Sequence, residues 1–362
     1  MHAGQTPFSQ VTMTSDHPFH WGRPAFAYWF GKALTRYAIR TAGDSCRHVD
    51  AAESGMSSPH RAARKTPLFF AFALPRMHRL TGRRLMMGMQ VRHALRVGIA
   101  GLGTVGKTLV EMIEAGDPAI QVTAVAARSP ERAQAWLGER RWRVDAPAVV
   151  GFDAMPALCD VVVECAPSHL LAAIATPMLT AGKIVIPLSV GALLDRMDLV
   201  DIARGTGGQI CVPTGALLGL DAVTAAAQGT IRSVRMVTRK PVIGLLGAPF
   251  LEQNDIDIAD IKAPMRIFEG TPREAAVGFP ANLNVAVALA LAGIGPDATS
   301  LEIWADPGLQ RNTHTITVDA DSASFTMTIE NIPSENPKTG RITALSVLAL
   351  LRKLHAPLRV GT

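Results

Sequence analysis

Three glycines and one histidine carry most of the chemistry that can be read from this chain. Gly101, Gly103 and Gly106 form the run GLGTVG. A G-x-G-x-x-G run between a strand and a helix is a phosphate cradle: the first glycine makes the tight turn, the second lets backbone approach a pyrophosphate, and the third lets helix and strand pack closely. The setting is the required one, since ALRVGIA (94–100) precedes the run and KTLVEMIEAG (107–116) follows it. A dinucleotide site is expected, the plainer alternative being a tight turn with no phosphate to hold. His314 lies in NTHTITV (312–318). Strand alternation puts it on one face with Ile316 and Val318, while three threonines share the other. Such a histidine is either a core residue with a satisfied hydrogen bond or a base kept in a dry pocket.

Other candidates are weighed in the same way. At the end of the second strand, QVTAVAAR (121–128), an acidic residue would bind a ribose 2′-hydroxyl. The chain has Ala127, Arg128 and Ser129 there and no carboxylate before Glu131. Arg128 is therefore read as a partner for a 2′-phosphate, which favours NADP over NAD; the alternative is a solvated arginine. His169, in CAPSH, is expected to line the cofactor pocket, whereas His355 sits near a helix C-terminus, where a cationic ring is favourable for structural reasons alone. Arg239 and Lys240, in TRKP, are the best-placed cations for substrate carboxylates, or else a solvated strand end. Asn282 and Asn284 start an Ala-rich helix as N-cap types. Asp306, before Pro307, starts a turn or orients the His314 ring. Beyond residue 93 there is no tyrosine, which excludes reductases that depend on a Tyr–Lys pair.

These residues need elements to position them. The strands DVVVECA (160–166) and KIVIPLS (183–189), separated by the helical HLLAAIATPMLTAG, continue an alternation of buried strands and helices. SPERAQAWLGER (129–140) is helical, with Ser129 as N-cap and Pro130 at the first position. This rhythm implies a doubly wound parallel sheet, an α/β domain over 94–208. After about Gly208 it changes: TIRSVRMVTRK (230–240), APMRIFEG (263–270), SLEIWAD (300–306), NTHTITV and SFTMTIE (324–330) read as strands with few helices between them. A second α+β domain on a mostly antiparallel sheet is expected over 209–333, and an amphipathic helix in 334–362 is expected to return to the first domain.

Composition bounds the rest. A chain of 362 residues suits two domains, and 48% apolar with 18% charged residues is globular. No apolar run approaches the roughly 20 residues of a membrane span. Four cysteines, Cys46, Cys159, Cys165 and Cys211, lack CxxC spacing, so no metal site and a reducing, cytoplasmic setting are expected, with Cys165 and Cys211 as small buried hydrophobes. The net charge of +6 divides unevenly: residues 1–93 hold 13 of the 36 Lys+Arg and 4 of the 30 Asp+Glu, a net +9, leaving −3 for the remainder. That first segment shows no sustained period. It is read as an extension without function, disordered or non-native, with the working start near Met86, Met87 or Met89; a transit peptide and a nucleic-acid-binding arm are the alternatives.

The body resembles the L-aspartate dehydrogenase family. The resemblance rests on SVGAL (189–193), PTGALLGLDA (213–222), TRKP (238–241), FPANLNVAVALALAGIGPDAT (279–299), ADP (305–307), NTH (312–314) and NIPSENPKTG (331–340). It covers about 94–362 and does not touch 1–93. It implies a Rossmann domain for NADP or NAD, a second domain for substrate and homodimer contacts, and oxidation of L-aspartate to iminoaspartate, which feeds NAD biosynthesis or hydrolyses to oxaloacetate and ammonia. No nucleic-acid or membrane partner is expected. By position, His314 matches the catalytic histidine, and Ala216 and Asn284 match nicotinamide contacts. Thr214 and Leu218 depart from the family's usual serine and glycine. The bottom-up chemistry agrees: hydride leaves Cα readily only from a neutral amine, and imine hydrolysis needs an activated water, so one partly buried imidazole with a pKa near 7 can serve both steps. The competing readings are a reductase of the same architecture on another amino or keto dicarboxylate, and a non-catalytic NAD(P)-binding sensor.

Overall fold

The computed structural model describes residues 93–280, 283–333 and 340–362. The proposed N-terminal extension, Asn282 and most of the NIPSENPKTG run lie outside the described residues.

The first sheet is parallel throughout. Its strands are β1 (Leu95–Ala100), β2 (Ile120–Ala126), β3 (Ala148–Val149), β4 (Val161–Glu164), β5 (Ile184–Pro187) and β6 (Gln209–Ile210), in the order β3-β2-β1-β4-β5-β6. Such strands are buried on both faces, which is why their sequences read as unbroken apolar runs. Val97, Ile99 and Val163 pack on one side with Leu109 and Ile113 of the helix Thr104–Ala115, and with Val347 and Leu351 of the helix Ile342–His355. The last helix packs against this sheet. Ala100, Val162 and Val185 belong to the opposite layer, with Ile174, Met178 and Leu199. β3 and β6, two residues each, carry too short a pattern to be read from the sequence.

The chain winds outward from β1 to β3, then crosses back to place β4 on the other side of β1. The carboxyl ends of β1 and β4 therefore flank the switch point, where open α/β sheets bind ligands.

The second sheet has the order β11-β10-β7-β9-β8, built from β7 (Ile231–Lys240), β8 (Met265–Gly270), β9 (Ser300–Ala305), β10 (Asn312–Ala320) and β11 (Ser324–Asn331). Only β7 and β9 run parallel. Val234, Met236, Thr238 and Lys240 are buried on one face of β7, beside His314, Ile316 and Val318 of β10. The other face carries hydroxyl pairs, Thr315 with Thr328 and Thr317 with Thr326. More helices intervene than the strand pattern suggests, among them Leu220–Ala226 and Pro272–Gly278. The second of these had a legible signal: Thr271 and Glu274 form a full capping box with Pro272 at the first turn.

The glycine-rich turn divides its labour between conformation, access and packing. Gly101 has φ +109° and donates its N–H to the Ala126 carbonyl at 2.7 Å. A Cβ on Gly106 would lie 1.9 Å from the Gly101 carbonyl oxygen, whereas one on Gly103 would meet nothing within 4 Å. Gly106→Ala is expected to destabilise the fold by about 2 kcal/mol or more, and Gly103→Ala by less than about 0.5 kcal/mol, in urea unfolding. Equal effects of the two would contradict this division.

Candidate active site

A cleft runs along the carboxyl ends of the parallel strands as two joined cavities. One, of about 740 Å3, is bounded by Gly101, Gly103, Arg128 and Trp136; the other, of about 470 Å3, by Ala216, Lys240, Asn284 and His314. Cys165, Ala166 and Pro167, just past β4, border both. The glycine-rich turn and His314 therefore line neighbouring cavities that share this segment.

The strand register explains the His314 end. His314 pairs with Thr238 across β10 and β7, and Lys240 lies two residues further along the same buried face. His314 is 3% exposed, and its Nδ1 lies 3.2 Å from Thr238 Oγ1. Nε2 makes no hydrogen bond to the described residues, which leaves it for a ligand in the cavity. Burial, then the ammonium of Lys240, push the pKa of this imidazole down to about 3. The partly buried base with a pKa near 7 expected from sequence is thus corrected: the ring is fully buried and firmly neutral, because hydration of an imidazolium is lost and a cation lies beside it.

Arg239 and Lys240 part company. Lys240 is 5% exposed and lines the His314 cavity. Arg239 emerges on the opposite face, with its guanidinium 4.6 Å from the Trp304 ring centroid and 3.8 Å from Asp306. Adjacent strand residues face opposite sides, so the two cations cannot serve one pocket directly. The pairing of Arg239 with the substrate side is therefore corrected. Asp306 takes the turn role, accepting from Gly308 N at 3.0 Å and facing Arg239. Thr238, which sequence reasoning passed over, is the residue that contacts the His314 ring.

Asn284 does not cap its own helix. The cap position is Leu283, and the Asn284 amide oxygen instead accepts the Gly191 N–H at 3.0 Å, tying the helix Asn284–Ala292 to the SVGAL loop. Its amide nitrogen keeps two donors for the cavity that Asn284 lines. Ala216 lies on a loop held from two sides: Gly215 donates to Ser346 Oγ at 3.0 Å, and Asn331 Nδ2 donates to the Ala216 carbonyl at 2.9 Å. With Thr214 and Leu218 in place, the loop still closes a turn, through Leu217 N to the Thr214 carbonyl at 3.1 Å.

The far cavity collects cations. Lys107, Arg128 and Arg132 line it together with Ser129 and His169, and no carboxylate does so among the described residues. Ser129 sits at the expected N-cap, but its hydroxyl donates to Glu131 at 3.2 Å rather than capping the helix. A nicotinamide dinucleotide fits this groove. Gly103 leaves space for backbone approach, and the glycine turn opens a helix of 12 residues. No group of three or more potential metal-ligating side chains occurs among the described residues. No described helix is long and apolar enough to cross a membrane.

Comparison with known proteins matches both parts of this groove. A family model described as the NAD-binding domain of homoserine dehydrogenase covers residues 101–213, and one described as the C-terminal part of aspartate dehydrogenase covers residues 221–354. The L-aspartate dehydrogenase of Bradyrhizobium diazoefficiens is 58% identical over 280 residues, which is 77% of this chain and 98% of the relative. L-aspartate dehydrogenase 3 of Bordetella bronchiseptica is 56% identical over 275 residues, 76% of this chain and 100% of the relative. The crystal structure of aspartate dehydrogenase from Thermotoga maritima shares the fold with a TM-score of 0.56 at 24% identity, covering 74% of this chain and 100% of that one. With identity above one half over nearly the whole length of these relatives, the chain belongs to the L-aspartate dehydrogenase family.

Proposed function

We propose that this chain oxidises L-aspartate to iminoaspartate with NADP or NAD as the hydride acceptor, and that the imine then hydrolyses to oxaloacetate and ammonia. The observation that carries this reading is the buried His314 and Lys240 wall of a cavity that opens, past Cys165–Pro167, onto the glycine-rich turn.

Lys240 holds a carboxylate of the substrate as a point charge. That carboxylate offsets the positive field on His314, so the imidazole becomes a stronger base when aspartate is bound than in the free protein. Nε2 then takes a proton from the substrate ammonium. The lone pair so freed closes the C=N bond as hydride leaves Cα. When bound, the oxidised nicotinamide ring supplies the acceptor for that hydride. His314 next takes a proton from the water that adds to the imine carbon, once its first proton has passed to solvent. Thr238 fixes the ring through Nδ1, so Nε2 stays aimed at the reacting nitrogen. Ala216 and Asn284 border the nicotinamide half of the groove, and Gly101, Gly103 and Gly106 form the pyrophosphate turn. Arg239 supports the wall from behind, by holding Asp306 at the end of β9.

NADP is favoured over NAD because Arg128 stands in a cavity rim that carries cations and no carboxylate. A homodimer through the outer face of the five-stranded sheet is supported by Val237, Trp304 and the threonine pairs, which remain only partly buried or exposed there. Sedimentation equilibrium should return twice the chain mass, and a monomer at micromolar concentration would remove this assignment.

A steady-state assay tests the activity itself. Reduction of NADP+ or NAD+ should be well above background with L-aspartate and far weaker with L-glutamate or L-homoserine, while His314→Ala should lower kcat by about 100-fold or more with little change in nucleotide affinity. Nucleotide binding without turnover on any amino acid would favour the sensor reading, and an unaltered rate in His314→Ala would return the histidine to the core. For Arg128→Asp, the NADP/NAD ratio of kcat/KM should fall by about tenfold or more; an unchanged ratio would take Arg128 out of cofactor selection.

A further inference from the structure

One buried ionisable group at the switch point has no part in the steps above. Glu164 ends β4 and is 0% exposed, the one charged residue in the run VVVE. Its carboxylate accepts four hydrogen bonds. Oε1 takes Ala166 N at 2.9 Å and Ser189 Oγ at 3.1 Å; Oε2 takes Leu188 N at 3.2 Å and Ser189 N at 2.9 Å.

These donors come from two loops distant in sequence, one after β4 and one after β5. Ala166, Leu188 and Ser189 all line the His314 cavity. Glu164 is therefore the common pin of two walls of the groove, and the brace continues through Gly191 to Asn284. Three backbone N–H groups and a hydroxyl need four lone pairs from one side chain. An ionised carboxylate provides them; an amide of the same shape has one acceptor oxygen and would set N–H against N–H. Burial raises the pKa of Glu164, and the hydrogen bonds from Ser189, Ala166 and Leu188 oppose that rise. A charge held by hydrogen bonds in a poorly polarisable interior acts beyond contact distance.

We propose that Glu164 is a positioning residue for the nicotinamide half of the groove, and that its buried negative charge favours the oxidised, cationic nicotinamide ring relative to the reduced, neutral one. The inference rests on reading the groove as the cofactor site. It gives the residue a role in turnover: the charge helps to hold the reactant form of the cofactor and to release the product form.

Isothermal titration calorimetry of the full chain with NADP+ and with NADPH tests it, on wild type, Glu164→Gln and Glu164→Asp. Glu164→Gln keeps the shape and loses the charge, so both affinities should fall, with that for NADP+ falling at least about fivefold more. Glu164→Asp keeps the charge at shorter reach, so both affinities should fall while their ratio stays near that of wild type. An unchanged ratio in Glu164→Gln would overturn the proposal in favour of an uncharged brace. A ratio shifted in Glu164→Asp as far as in Glu164→Gln would overturn it too, and that measurement stands if the glutamine variant does not fold. Wild-type protein that binds neither nucleotide would instead defeat the reading of the groove on which the proposal rests.

Discussion

A cation and an imidazole share a buried strand face, where burial first and the cation second keep the imidazole neutral. Lys240 is 5% exposed and His314 3% exposed, and the ring yields: it stays neutral well below its ordinary range. Burial lowers the ring's basicity most and Lys240 adds to that loss; in the proposed reaction a carboxylate at Lys240 offsets the lysine's share. An amino dicarboxylate suits such a pocket better than a neutral hydroxy or keto compound, because only the former carries both the charge that relieves the ring and the ammonium proton that the ring must take.

The groove around this pair is made largely of backbone, and backbone loops need fixing. Each wall is held by one polar side chain that reaches across: the buried Glu164 to the loops after β4 and β5 and the buried Asn331 to Ala216, and the half-buried Asn284 to Gly191 and Ser346 to Gly215. Hydrogen bonds of this kind contribute only about 1 kcal/mol each to stability. Their larger effect is geometric, since a loop pinned at both ends keeps its N–H and C=O groups where a ligand meets them. Ser346 and Asn331 come from the last helix and the last strand, so the chain's end closes the site that its glycine-rich turn opens. The return of the helix Ile342–His355 to the parallel sheet has this second purpose beside its packing.

Selectivity and chemistry are kept apart along the groove. The cations Lys107, Arg128 and Arg132 gather at one end, and the neutral imidazole sits at the other. Cys165–Pro167 separates them, directly above the pin at Glu164. In the proposed reading, cofactor choice belongs to the cationic end and the chemistry to the end lined by His314 and Lys240.

Local pattern was enough for some of this protein. The period-2 and period-3.6 repeats identify the long strands of both sheets and the helices of the parallel one, since each signal lies within one element. The GLGTVG run identifies the nucleotide turn, because its glycines act on neighbours a few residues away. His314 on the apolar side of its strand was also legible, as was the final helix. Tertiary structure decided the rest. Arg239 and Lys240 are adjacent in sequence yet face opposite ways, and which of them meets the cleft depends on which sheet face is buried. The pKa of His314 depends on a lysine 74 positions earlier, brought alongside by the antiparallel register of β7 and β10. Glu164, Asn331 and Ser346 act on loops far along the chain, and Asn284, a plausible cap by local rules, spends its oxygen on Gly191 instead. Hydrogen bonds and fields act through space, so a residue whose partner is distant in sequence leaves no local trace of its role.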